Sequence, residues 1–213
     1  RSLQDQLQSL ARREGISKWD LGASRSSSAS VQVDRGEAKQ LKAAQRSSIT
    51  IRVWNQQGLV GITSTSDLSD SGLEKALMGA HQASGFGNPD DIPGFSPLAT
   101  APQPDLHRPL QEAQGIQSLL KQLLDAEQQL LSRHPAIGTL PYNAMNEGSS
   151  ERIYLNSEGA LRQAQRTQAS IFLMARAEQS GRKPRSGGAV RIALGSHDLD
   201  LAGCIDEAAE RTI

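Results

Sequence analysis

Leu3, Leu7 and Leu10 recur at helical spacing and predict an amphipathic helix that Gly15 can end. Trp19, Leu21 and Ala23 alternate, as do Val31 and Val33, with the serine-rich stretch Ser26–Ser30 between them. The reading is a strand, a bulge and a second strand, closed by the turn Asp34-Arg35-Gly36. Ile49, Ile51 and Val53 share one face of the clearest half-buried strand, with Ser48, Thr50 and Arg52 on the other. Asn55-Gln56-Gln57-Gly58 turns it into a return strand through Val60 and Ile62. Asp67 to Ser71 then offers helix caps, with Ser71 and Glu74 at capping-box spacing ahead of the apolar face Leu73, Ala76, Leu77 and Ala80.

Gly85 to Pro109 is rich in proline, glycine and aspartate without periodicity, which predicts a long surface connection less ordered than the helix after it. That helix carries the strongest stripe of the chain, Ile116, Leu119, Leu120, Leu123, Leu124, Leu130 and Leu131, stopped at His134-Pro135. Ile153 and Leu155 precede the turn Asn156-Ser157-Glu158-Gly159, and a long strand follows through Ile171, Leu173 and Ala175 with Phe172 and Met174 opposite. Ser180 to Gly188 reads as a hairpin tip, and Val190, Ile192 and Leu194 as the return strand. Asp198 can cap a last helix whose face is Ala202, Ile205, Ala209 and Thr212.

The halves share an order of turn, long strand, return strand and capped helix, so a duplicated strand-hairpin-helix unit is expected. Strands with one apolar side must be covered on that side, and the predicted fold class is α+β, an antiparallel or mixed sheet with helices packed on one face. The expected division is a first α/β unit over 1–84, an irregular loop over 85–109 and a second α/β unit over 110–213. Arg1 running directly into a helix and Ile213 lying inside one suggest the amino-terminal part of a longer protein.

Composition narrows the function. Lys plus Arg and Asp plus Glu both number 23, so no net field recruits nucleic acid or an anionic membrane. The one cysteine, Cys204, cannot form an intramolecular disulfide, fits a reducing compartment and reads as a buried helix residue. No apolar run approaches the ~18 residues that span a bilayer, and Arg1 to Gly15 lacks a signal-peptide block. A soluble cytoplasmic protein is expected. At 3% aromatic residues, the core must come from Leu, Ile, Val and Ala, with Trp19, Trp54, Phe172 and Tyr154 as its few large pieces.

Candidate chemistry is sparse. His81, His107, His134 and His197 stand in no HExxH or HExxxH spacing, so no metal is expected in this chain. His81 falls beside the apolar face of its helix, where a partly buried, hydrogen-bonded imidazole is the plain alternative to a ligand. His197-Asp198-Leu199-Asp200 gathers three polar ligands, yet it also reads as a helix start. Gly85-Phe86-Gly87 has no strand before it and no helix directly after, unlike a phosphate loop. Ser26-Ser27-Ser28 lacks the G-x-S-x-G elbow and a neighbouring histidine. Arg182, Lys183 and Arg185 form a basic tip that can meet a phosphate or an acidic partner, or be a solvated hairpin end. No catalytic, metal or binding residue is assigned.

Several segments taken in order resemble the start of TldD/PmbA proteins. They are Val31-x-Val33, Gly36-Glu37, Ile49-Thr50-Ile51-Arg52-Val53, Gly58-x-x-Gly61 and, most telling, Thr63-Ser64-Thr65-Ser66-Asp67-Leu68-Ser69. Tyr154-x-Asn156-Ser157-x-Gly159 and the closing Gly203-x-x-x-x-Glu207-Ala208-Ala209-Glu210-Arg211-Thr212 extend the likeness to nearly the whole chain. The resemblance implies a cytosolic protein that works in pairs as a metallopeptidase on flexible, extended peptides, under the historical name modulator of DNA gyrase. In the TldD-like branch the zinc motif HExxxH lies beyond the matched region, and the PmbA-like branch lacks it. The serine-threonine run and the long connection look PmbA-like, implying the non-zinc subunit, with zinc only in a TldD-like partner and no cofactor in this chain. The implied partners are a TldD-like subunit or a second copy, and an extended peptide, with no nucleic acid and no membrane. A truncated TldD-like protein stays open, as does a non-enzymatic interaction module that recruits partners by strand addition.

Overall fold

The computed structural model of the chain describes residues 3–102 and 109–213, so His107 and part of the expected connection lie outside the described residues. The elements are α1 (Leu3–Arg13), β1 (Lys18–Asp34), β2 (Glu37–Trp54), β3 (Val60–Thr65), α2 (Asp70–Ser84), α3 (Ile116–Ser132), β4 (Ile137–Asn156), β5 (Leu161–Ala177), β6 (Arg185–Ala193) and α4 (Leu201–Thr212). Each half runs helix, three strands, helix. The strands make an antiparallel sheet ordered β3-β2-β1-β4-β5-β6, and the fold is α+β. No helix among the described residues is long and apolar enough to cross a membrane.

Strand length decides how the chain divides. β1, β2, β4 and β5 have 17, 18, 20 and 17 residues, and each passes through two compact units. The first holds the described residues of Arg1–Ser26, Arg46–His107 and Ser150–Gln165; the second holds those of Ser27–Gln45, Arg108–Ser149 and Arg166–Ile213. These units cut across the sequential division 1–84, 85–109 and 110–213, because a long strand belongs to whichever helices cover each of its ends.

In the first unit α1 and α2 cover one face of the sheet, burying Trp19, Leu21, Ile49, Ile51, Val53 and Leu155 against Leu7, Leu73 and Leu77. The expected inward set Ile49, Ile51 and Val53 is buried. The helix cap is Ser69, not Ser71: its hydroxyl accepts from Gly72 N at 3.1 Å. Thr65 Oγ1 accepts from Asp67 N and Asp67 Oδ1 from Ser69 N, both at 3.0 Å. These two side-chain turns carry the chain from β3 to the cap and give the serine-threonine run its local purpose.

In the second unit α3 and α4 bury Val31, Val33, Met145, Ile171, Leu173 and Ala175 against Leu119, Leu123, Leu130, Cys204, Ile205 and Ala208. β1 runs unbroken through Ser26–Ser30, so the serine-rich stretch does not divide it into the two expected strands. Small hydroxyl side chains on a half-exposed strand hide its alternation without interrupting it. β4 is far longer than its Ile153 and Leu155 predict, because its buried positions fall at 137, 140, 143, 145 and 147, intervals of three and then two. Two of those positions, Asn143 and Glu147, are polar. At α4 the cap is Asp200, which accepts from Gly203 N at 2.9 Å, while Asp198 ends a short 3₁₀ turn. Ala202 faces solvent, and Cys204 and Ala208 take the buried positions.

The duplication is visible in packing. α2 lies on β3 and α4 on β6, and in both places a strand glycine meets the helix's last turn. A Cβ on Gly61 would stand 2.0 Å from the Ala80 carbonyl oxygen and 2.2 Å from Ser84 N. A Cβ on Gly187 would stand 2.4 Å from the Arg211 carbonyl carbon. Gly61→Ala is therefore expected to destabilise the chain by about 3 kcal/mol, since backbone on both sides must move. Urea unfolding followed by circular dichroism measures it, with Gly138→Ala, where a Cβ meets nothing within 4 Å, as the near-neutral control.

Candidate functional site

The residues singled out in the sequence do not converge. His81 is half-buried on α2, and His134 Nδ1 accepts from Ala136 N at 3.1 Å. His197 and Asp198 are exposed and 3.4 Å apart, while Asp200 is committed to its cap and to Arg191. Cys204 is buried in the second core. Among the described residues no three His, Cys, Asp or Glu side chains gather as metal ligands, and this donor set does not fit zinc. Ser26–Ser28 lie within β1. Gly85, Phe86 and Gly87 donate their N–H groups to the carbonyls of Gln82, Ala83 and Ser84, tailing off α2. The basic tip is divided: Arg182 and Lys183 are exposed, but Arg185 opens β6 and donates to the Ile213 carbonyl.

What the structure does assemble lies on the helix-free face of the first unit. Asp20 is buried between Trp19 and Leu21 but points the other way, and both its oxygens are taken by Arg52. Arg52 Nε donates to Oδ1 at 2.9 Å and Nη2 to Oδ2, and the Tyr154 hydroxyl donates to Oδ2 at 3.2 Å. The carboxylate raises the pKa of Arg52 through its hydrogen bonds, against the effect of burial. Burial, and then the Asp20 charge, push the Tyr154 hydroxyl above its usual value. Arg52 also stacks over the Trp54 ring at 5.3 Å, and Lys18 Nζ sits 5.0 Å from the Trp54 and Phe95 rings, which meet edge to face.

This cluster anchors part of the connection that follows α2. Trp54 Nε1 donates to the Pro93 carbonyl at 2.9 Å, and Arg162 Nη2 donates to the carbonyls of Leu98, at 3.1 Å, and Ala101. The anchors of the segment are mostly polar. Beside it opens a groove of about 460 Å³, lined by Gly22, Ser24, Thr50, Arg152, Tyr154 and Arg162 among others. Asp20 went unnoticed in the sequence, Arg52 was read only as a polar strand position and Tyr154 as a core piece, although all three sit at even-numbered, outward positions of their strands. Opposite charges there were the available signal.

The buried carboxylates of the second unit are structural. Glu147 accepts from Gln114 N, Gly115 N and Ser196 Oγ at 3.1, 2.7 and 2.9 Å, holding the start of α3. Glu127 accepts from Gly36 N at 2.7 Å, and Asn143 Oδ1 from Val33 N at 3.0 Å. Carboxylates so occupied are poorly placed to act as general bases.

Two family models match the chain. Residues 19–83 match the model of PmbA/TldA metallopeptidase domain 1, and residues 109–213 match that of the PmbA/TldA metallopeptidase central domain. The chain belongs to the PmbA/TldA metallopeptidase family. A proposed modulator of a DNA gyrase from Thermotoga maritima has the same fold, with a TM-score of 0.83 at 18% identity over 98% of this chain and 46% of that one. TldE from Thermococcus kodakarensis gives 0.79 at 15%, over 97% and 47%. A proposed modulator of DNA gyrase from Bacteroides thetaiotaomicron gives 0.79 at 17%, over 99% and 48%. The chain thus spans about half the length of these solved structures. No curated protein matches it by sequence.

The segments that resemble PmbA/TldA proteins prove to be fold-building devices. Asn156 Oδ1 accepts from Glu158 N and Ala160 N at 3.1 and 2.9 Å, shaping the β4–β5 turn. Ser157 exchanges hydrogen bonds with the Trp19 backbone. Gly36 and Gly159 have φ of 79° and 88°, a region costly for residues with a Cβ.

Asp20→Ala should cost about 2 kcal/mol, below the ~3–5 typical of a fully buried pair because Arg52 keeps some water contact. In a Tyr142→Phe background, Asp20→Asn should lower the Tyr154 pKa while leaving it above the usual value, because burial is the larger cause. Absorbance titration of the phenolate tests this. Burial also raises the Cys204 thiol to about 11 from 9.0. The folded chain then holds a proton that the unfolded chain releases, so this contribution is full below pH 9 and is lost as pH rises towards 11. Cys204→Ala should flatten that part of the stability profile, and a disulfide reagent should modify Cys204 only after denaturation.

Proposed function

We propose that the intact protein is the subunit of a cytosolic metallopeptidase pair that supplies no zinc ligands, and that this chain is its amino-terminal, non-catalytic portion. The observation that carries the reading is the match, in sequence order, to domain 1 and the central domain of a metallopeptidase family. The fold shared with TldE supports it. The substrate is a flexible, extended polypeptide, and the partner is a TldD-like subunit bearing HExxxH.

Peptide hydrolysis needs a polarised carbonyl and an activated water. Asp20 is neutralised by Arg52, and Glu127 and Glu147 are occupied by backbone donors. Zinc held by the partner would supply the Lewis acid, and this chain a scaffold and a surface.

A fluorogenic unstructured peptide tests the reading. It should be cleaved by the full-length protein with its HExxxH-bearing partner, not by that mixture with chelator, and not by this chain alone. Turnover by this chain alone that persists with chelator would overturn it.

A second reading, a non-enzymatic module that binds partners by strand addition, is favoured by one feature of the second unit. Among the described residues β6 pairs only with β5 in the sheet order, and its outward face exposes Val190 and Ile192 at 52% and 66%. In the same assay, absence of cleavage by the full-length pair would favour it.

A further inference from the structure

We propose that the groove on the helix-free face of the first unit binds a small organic carboxylate, held by Arg152 and the hydroxyls of Ser24 and Thr50 over the floor left open by Gly22. The groove, at about 460 Å³, has the volume of a small-molecule site.

Gly22 is the first observation. It lies inside β1, where glycine costs roughly 0.5–1 kcal/mol relative to alanine. Neither of the usual reasons for it applies, since its φ is not in the left-handed region and a Cβ there would meet nothing within 4 Å. What the missing side chain does is keep the floor of the groove open.

Charge is the second. Arg152 lines the groove, is exposed, and has neither hydrogen bond nor ion pair among the described residues. The buried acid on that face, Asp20, is already matched by Arg52. Arg162 adds a further cation, fixed at the rim because its Nη atoms bond only to neutral carbonyls, while its buried Nε has no partner. Two cations therefore line the groove although the chain as a whole carries no net charge.

Lining chemistry selects the class of anion. Ser24 Oγ and Ser48 Oγ are 2.9 Å apart, as are Thr50 Oγ1 and Ser64 Oγ, so these rotatable hydroxyls can turn a proton towards an acceptor. Ala164 and Ile153 provide apolar wall beside the Tyr154 ring. That suits a carboxylate with an organic body better than bare phosphate.

The inference stands apart from the peptidase reading, since binding is measured on this chain without partner or metal. Calorimetric titration of the full chain with acetyl-alanyl-alanine should give saturable binding at millimolar concentration or below. Its carboxamide and inorganic phosphate should each bind at least about tenfold more weakly. Arg152→Gln should weaken binding by about tenfold or more. Gly22→Val, whose Cβ meets nothing within 4 Å, should abolish binding and leave the thermal midpoint nearly unchanged. No saturable heat with the free acid, equal binding of the amide or of phosphate, or wild-type binding by either variant would overturn the proposal.

Discussion

One-sided burial of long strands is the constraint on which the rest of this structure depends. Once Trp19, Leu21, Ile49, Ile51 and Val53 face the helices of the first unit, every even-numbered residue between them must face away. Asp20, Arg52 and Tyr154 meet for that reason, and so do Gly22, Ser24 and Thr50. A slip of one residue in either strand would bury Arg52 or Asp20 among leucines. The ion pair is thus less a source of stability than a consequence and guard of the register.

The same constraint makes the exceptions in the second unit informative. β4 admits Asn143 and Glu147 to its buried side because each satisfies backbone groups: Asn143 accepts from the Val33 N–H of β1, and Glu147 caps the N–H groups that open α3. Gly115, with φ of 85° and no capping side chain of its own, depends on that carboxylate. Helix α3 therefore begins where a strand residue distant in sequence tells it to.

Elements governed by local chemistry were legible in the sequence: α3 from its leucine stripe, β2 and β3 from alternation and the Asn55–Gly58 turn, and the α+β class from their order. The cap of α2 lay among the candidates Asp67 to Ser71 but two residues before the Ser71 picked out by spacing, and that of α4 lies two residues beyond Asp198, because competing Ser and Asp acceptors are equivalent until the preceding turns fix which one meets the helix N–H groups. The first two-thirds of β4 was illegible, since its partners sit on α3 and near α4 and its spacing changes midway. Of the outer face, only the polarity of Ser48, Thr50 and Arg52 could be read. That Asp20 is spent on Arg52 while Arg152 stays free depends on strand order, which no local pattern encodes.

The segment from Pro93 to Ala101 is held chiefly through its carbonyl oxygens, by Trp54 and Arg162. Such a tether recognises the path of the main chain and is indifferent to most of the side chains along it. Apart from Phe95, wedged against Trp54, residues there can be exchanged without the segment leaving its course. The border of the groove is in this sense a blank strip, whose lettering can be rewritten to suit a different visitor while the fold beneath it stays the same.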